Sequence, residues 1–330
     1  MYIFNYVIFW RDMNNSSRAR YLAEIASKYY DQNKTQQEIA DEIGVTRSAV
    51  SRLLTEAQQK GIVEIIVHYP YRTSPELEKI LRSKFGLKSA RVLLRENKPE
   101  EESLAGVGRL ASQYFISLLK EDSIVGVSWG TGLYQMVRAM RPMSYPQVKV
   151  VQLVGGMGSQ KPSEIGSLLA PLLADMLGCV CHYLPAPTMT DSAAVRNAFM
   201  QESSIRDTLE LAVKADIALV GIGSIKPEVN TPYKLGIISD EELQDLLAAG
   251  AVGNVCGYFY NNHGQFLNID VNQRLVGIEL HDLVKIPTVI GVSAGVMKAE
   301  GILGALRGKY INNLVTDDAT ARRILELAES

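Results

Sequence analysis

The stretch Thr35–Lys60, TQQEIADEIGVTRSAVSRLLTEAQQK, constrains this chain more than any other. Ile39, Ala40 and Ile43 recur at helical spacing, and Val50, Leu53 and Leu54 do so again after a break. The stretch therefore reads as two helices that share one apolar interior. Gly44-Val45 falls between them. The glycine supplies the positive φ of a sharp reversal, the valine is expected to plug the angle between the helices, and Ala40 is small where the second helix crosses closely. Left facing outward on the second helix, expected over Thr46–Gln58, are Thr46, Arg47, Ser48, Ser51 and Arg52. Hydroxyls and guanidiniums bond phosphates and the acceptor edge of guanine, which makes the pair a helix-turn-helix with the second helix as the reader. Thr35 and Gln36, at the start of the first helix, join the candidate DNA contacts. The alternative is an ordinary helical hairpin with a solvated polar face, for which Arg47→Ala or Arg52→Ala leaves DNA affinity unchanged.

The chain as a whole supplies no attraction for DNA: its net charge is −2. Binding would have to rest on a local patch and on dimer symmetry. At 330 residues, 47% hydrophobic and 21% charged, the sequence suits two globular domains. Three cysteines provide no disulfide framework and point to a reducing compartment, the cytoplasm. MYIFNYVIFW, at the start, is apolar over about ten residues, short of the roughly 20 that span a bilayer. It also lacks the basic start and cleavage site of a signal peptide. Residues 1–12 are read as an extension or an arm without function, with Met13 as an alternative start.

An apolar pattern over 16–32 (Leu22, Ile25, Ala26, Tyr29, Tyr30) marks a supporting first helix. IVEIIVHY, after Lys60-Gly61, alternates like a strand and fits a wing, giving a winged helix-turn-helix over 13–70. Pro75 can open a helix running to about Phe85 with Gly86 closing it, and 71–87 is read as a linker helix. From about Lys88 strands and helices alternate. Expected strands are Ala90–Leu94, Ile124–Ser128, Val148–Val154, Cys179–Leu184, Ile217–Ile222, Thr288–Val292 and Asn313–Thr316. Expected helices are Glu102–Leu119, Leu133–Met140, Gly166–Leu177, Ala193–Met200, Ile205–Lys214, Glu241–Ala249 and Ala319–Glu329. Apolar strands alternating with amphipathic helices imply a mainly parallel sheet covered on both faces, an α/β domain over 88–330.

Open parallel sheets hold ligands beyond the carboxyl ends of their strands. IVGVSWGTGL ends one strand in Ser128-Trp129-Gly130-Thr131-Gly132 and then turns into a helix. Free amides, two glycines and two hydroxyls make an anion cradle there, or else a glycine turn that merely closes strand on helix. VIGVSAGVMK runs a second strand into Ser293-Ala294-Gly295, with Lys298 placed on the first turn of the next helix, where an ammonium suits a phosphate monoester. The glycine turns of Val151–Gly158, with Gly155, and Leu219–Ser224, with Gly223, either let backbone approach a ligand or only reverse the chain. Cys179 and Cys181 share one face of a strand and His182 the other, so no metal site is expected. The histidines at 68, 182, 263 and 281 form no triad with a serine. Asp191, Asp216 and Asp270 are acid/base candidates by type only, so an enzyme, a phosphosugar isomerase or deaminase bearing a helix-turn-helix, is the rival reading.

Five segments together carry a resemblance: TQQEIADEIGVTRSAVSRLL, GVSWGTGL, ADIALVGIG, GAVGNVCGYFYNNHG and KAEGILGALRGKYINNLVTDDATARRIL. The chain resembles the SorC/DeoR-type sugar-binding transcriptional regulators of bacteria from about Ser16 to Glu329. The resemblance implies a phosphosugar isomerase/CoA-transferase-like fold used as a sensor without catalysis or a cofactor. It also implies a homotetramer or dimer of dimers, operator DNA as partner, and release when a phosphorylated sugar or polyol binds. By position, Ser128, Gly130 and Thr131 resemble the family's phosphate loop, and Lys298 its phosphate-facing lysine. Asn254 stands where many members carry an acidic residue expected to touch ligand hydroxyls; an amide can donate as well as accept.

Overall fold

The computed structural model describes residues 4–63, 72–96, 99–157 and 168–329. The expected wing from residue 64 on, His68, and the end of the glycine turn at 158 lie outside the described residues. Met1–Pro70 and Tyr71–Ser330 form two compact units, each described by itself.

The first unit is built from α1 (Phe4–Tyr30), α2 (Gln36–Ile43) and α3 (Arg47–Gln59). The first helix begins at Phe4 rather than near Ser16, since no proline or glycine interrupts the chain from there to Tyr30. Thr35 caps α2 in a reciprocal box with Glu38, which satisfies two orphan donors of that helix start. Gly44 ends α2 at φ 70°, in the left-handed region, and Val45 N–H donates back to Ala40 O at 3.0 Å. Ile25, Ala26, Ile39, Ala40, Val50 and Leu54 close one apolar core. Val45 does not plug the angle between the helices. The turn leaves its side chain 38% exposed, and Tyr30 is likewise 39% exposed. Ion pairs fasten α1 to both of the other helices: Arg18 to Glu56 of α3 at 2.6 Å, and Lys28 to Glu42 of α2.

The second unit opens with α4 (Pro75–Phe85), capped by Ser74 and ended by Gly86 at φ 68°. It is no free linker: Leu77 and Leu81 are buried in the core of this unit, and Glu78 Oε1 accepts from Val92 N–H at 3.1 Å. Among the described residues nine strands follow: β1 (Ser89–Leu93), β2 (Ile124–Val127), β3 (Lys149–Gln152), β4 (Val180–His182), β5 (Ile217–Ser224), β6 (Ala251–Val255), β7 (Tyr258–Asn261), β8 (Thr288–Val292) and β9 (Asn313–Asp317). Seven of them form the parallel sheet β1-β9-β8-β5-β2-β3-β4. Ile217 and Leu219 of β5 face a core with α5 (Glu100–Leu118) and α6 (Thr131–Arg138), while Ala218 and Val220 face the other core with helices 299–307 and 318–329. That alternation covers the sheet on both faces.

The strand order reverses between β2 and β5: from β2 the chain steps outward to β3 and β4, then returns to the other side for β5, β8 and β9. Such a switch point opens a crevice at the carboxyl ends of the strands. The last residues of β5 leave the parallel sheet and pair antiparallel with β6, Gly223 opposite Asn254, and β6 folds back into β7. This hairpin was not among the expected strands. Its two turn residues, Cys256 at φ 52° and Gly257 at φ 83°, make a tight reversal with an unusual first residue.

Candidate functional site

At the crevice, β2 runs into Ser128-Trp129-Gly130 and then α6. The start of α6 has no side-chain cap, so its first amides and the positive end of its dipole face the space beyond β2. Gly221 of β5 lies against this loop: a Cβ there would stand 2.4 Å from Trp129 O. From the other side, β8 turns through Gly295 (φ 111°) into the 3-10 turn Val296–Lys298. Lys298 therefore ends that turn and precedes helix 299–307, rather than sitting within the helix's first turn. Lys298 Nζ reaches Thr131 Oγ1 at 3.4 Å, across 167 positions of sequence. Trp129, Gly130, Thr131, Gly132, Gly223 and Lys298 line one cavity. Gly221, Ile222 and Val292 contribute to its walls, and Val229, Thr231 and Pro232 cover it from a separate segment.

Three residues read as site candidates are committed elsewhere. The Ser128 hydroxyl is buried and accepts from Gly221 N–H at 3.3 Å, so it pins the loop to β5 from behind. Gly155 gives its N–H to Val276 O, and its carbonyl accepts from Thr188 Oγ1. A Cβ at Gly155 would stand 2.2 Å from Pro187 O, so the glycine serves packing there. Gly295 donates to Thr320 Oγ1 at 2.8 Å and shapes the turn before Lys298. Asn254 is 2% exposed and its side-chain amide packs against Gly223, but Asn254 is not among the residues lining the cavity. Asp216 accepts from Ile124 N–H at 2.8 Å and Asp270 pairs with Arg274 at 2.7 Å; neither they nor Asp191 are among the residues lining the cavity. Cys179 and Cys181 are half-buried against the helical core, and burial pushes the Cys181 thiol up to about 11. Among the described residues no group of three could hold a metal ion.

On the first unit, Thr46, Arg47, Ser48, Ser51 and Arg52 are all exposed along α3. The Thr46 hydroxyl caps α3, accepting from Ala49 N–H at 3.3 Å, and lies 3.0 Å from Ser48 Oγ. Thr35 is exposed but its hydroxyl is engaged with Glu38, and Gln36 is half-buried. A concave surface of about 850 Å³ joins Thr35, Gln36 and Arg47 to Asn33, Lys34, Gln37 and the tyrosines at 29 and 30. Its walls include both helix starts, where backbone amides favour phosphate oxygens.

Residues 69–326 match the sugar-binding domain family, and residues 19–72 match the Crp-like helix-turn-helix domain. The chain belongs to the SorC family of sugar-binding transcriptional regulators. It is 35% identical to the sorbitol operon regulator of Klebsiella pneumoniae over 95% of this chain and 100% of that one. To the deoxyribonucleoside regulator of Bacillus subtilis it is 34% identical over 92% and 96% of the two chains. Its fold is similar to the crystal structure of the full-length sorbitol operon regulator SorC from Klebsiella pneumoniae, with a TM-score of 0.75 over 93% of this chain and 98% of that one. This SorC-family chain is thus a DNA-binding regulator with a sugar-binding domain, and not an enzyme. Among its described residues no helix is long and apolar enough to cross a membrane. Of the cavity residues, Val229, Thr231 and Pro232 lie outside every stretch singled out from the sequence. Gly221 sits in the glycine-rich LVGIGS run, whereas 229–232 carry no strand-end signal.

Proposed function

We propose that this regulator represses a carbohydrate or polyol catabolic operon in the cytoplasm and releases its operator when a phosphorylated sugar or polyol binds at the β2–β5 crevice. The phosphate sits on the amides that start α6, with Lys298 as its point charge and Thr131 as a hydroxyl partner. The observation that carries this reading is the 3.4 Å approach of Lys298 Nζ to Thr131 Oγ1, which sets an ammonium beside an uncapped helix start. The names of two relatives fit this reading: one is a sorbitol operon regulator, another a deoxyribonucleoside regulator.

The working form is a homotetramer, a dimer of dimers. Two α3 helices then meet half-sites about 34–36 Å apart, or a multiple of that, on a pseudo-palindromic operator. Effector binding shifts how subunits pair, and linkage requires operator binding to change effector affinity by the same factor. The test is an operator titration in the absence and presence of phosphorylated pentoses, hexoses and polyols, with the unphosphorylated compounds as controls. At least one phosphorylated compound weakens operator binding and its unphosphorylated parent does not. Equal operator affinity across the whole panel overturns the proposal.

A further inference from the structure

We propose that Thr320 is a positioning residue for operator release: its hydroxyl ties the turn that carries Lys298 to helix 318–329, which packs on α4. This rests on the crevice being the effector site. Gly295 opens that turn at φ 111°, a conformation that favours glycine, and its N–H donates to Thr320 Oγ1 at 2.8 Å. Lys298 N–H closes back onto Gly295 O at 2.9 Å, so the amide held by Thr320 belongs to the same turn as the ammonium.

Thr320 is itself fully buried and held from a second side. Its N–H donates to Asp317 Oδ1 at 2.7 Å, and Asp317 Oδ2 accepts from Ser103 Oγ at 3.2 Å, with both partners buried. A hydrogen bond in such a place has no water to exchange with. Turn and helix therefore shift together, or the Gly295 amide is left unpaired at a cost. Beyond Thr320, Ala321 and Ile324 of the same helix share one core with Leu77 and Leu81 of α4, and Lys84 of α4 pairs with Glu329 at 3.3 Å. Packing this close passes a displacement on rather than absorbing it. The helix that receives it begins at Pro75, and the DNA-reading unit ends at Pro70. An anion drawn to Lys298 thus acts on the element that follows the DNA-reading unit most closely in the chain.

The experiment measures operator affinity of the full chain by anisotropy, without and with the panel of phosphorylated pentoses, hexoses and polyols. Each compound is used at a concentration that calorimetry shows to saturate the protein tested, which separates coupling from effector affinity. Thr320→Val removes the acceptor and keeps the shape; Thr320→Ser keeps the hydroxyl and loses only a methyl. For a compound that releases wild type, the ratio of operator affinities without and with it falls by about fivefold or more in Thr320→Val. In Thr320→Ser that ratio stays within about threefold of wild type, as does operator affinity without effector in both variants. A Thr320→Val protein that releases its operator as wild type does overturns the inference alone, and so does an equal loss in both variants. Should Thr320→Val fail to fold, hydrogen exchange on wild type decides: a releasing compound changes exchange in helix 318–329 and α4, and unchanged exchange there overturns the inference. If no compound of the panel releases wild type, the crevice reading falls and takes this inference with it.

Discussion

Gly221→Ala probes the crevice at its tightest point. The added Cβ would stand 2.4 Å from Trp129 O and 3.2 Å from Gly130 Cα, where ordinary contact begins near 3.4 Å. Both neighbours are backbone, so no side-chain rotation relieves the clash; loop or strand must give by about 1 Å. Overpacking of this kind costs about 1–3 kcal/mol. The movement also strains the bond from Gly221 N–H to Ser128 Oγ that holds the loop down. Because that loop presents the α6 amides, effector affinity is expected to fall by about tenfold, equivalent to about 1.4 kcal/mol. Operator affinity without effector is expected to stay within about threefold, since the substitution touches no residue of α3. Calorimetry with an operator-releasing sugar phosphate, together with thermal unfolding of the same protein, measures both effects. Unchanged effector affinity and unchanged stability would refute the claim that loop and strand meet this closely.

Arg47→Ala and Arg52→Ala should each weaken operator binding by about 1–3 kcal/mol if the side chain reads a base, measured by fluorescence anisotropy; a phosphate contact would instead lower the salt slope by about one. Removing the Thr35 cap with Thr35→Ala should cost α2 about 1 kcal/mol, so its amides exchange about fivefold faster, whereas unchanged exchange would show the capping box to be idle. Hydrogen bonds from Lys28 and then Lys34 hold the Glu42 carboxyl at about 2, and those from Arg18 and then Lys60 hold Glu56 at about 2. Both values lie below the ordinary 4.5, so this stabilisation is complete above pH 4.5 and is lost as pH falls towards 2. Resonances of α1 followed through that window should report its release from α2 and α3. Added salt should weaken the dependence, because these side chains face solvent; an α1 indifferent to pH down to 2 contradicts it.

The first unit was legible because its contacts are local. Ala40, Gly44 and Val50 lie within eleven positions, and each has a residue type with a single structural use there. Val45 misled because apolar type does not reveal direction: with Gly44 at φ 70°, the Val45 amide turns inward to Ala40 O and its side chain outward. The parallel strands were visible as apolar runs. The β6–β7 hairpin was not, because Cys256 occupies a left-handed turn position where asparagine or aspartate is the usual signal. Within the site, strand ends and glycines could be read from sequence, but the employment of each group could not. Ser128 is spent on Gly221 and Gly155 on Pro187, partners 93 and 32 positions away. The cover at 229–232 was invisible for the same reason: its place is set by tertiary packing.

The central claim is that an anion at the β2–β5 crevice governs the DNA-reading helices, and Lys298→Ala tests it most directly. Operator affinity of wild type and variant is measured by anisotropy across a titration of an operator-releasing sugar phosphate. The account predicts equal operator affinity without effector, and a release curve for Lys298→Ala displaced to about tenfold or more higher effector concentration. Superimposable release curves for the two proteins would contradict it.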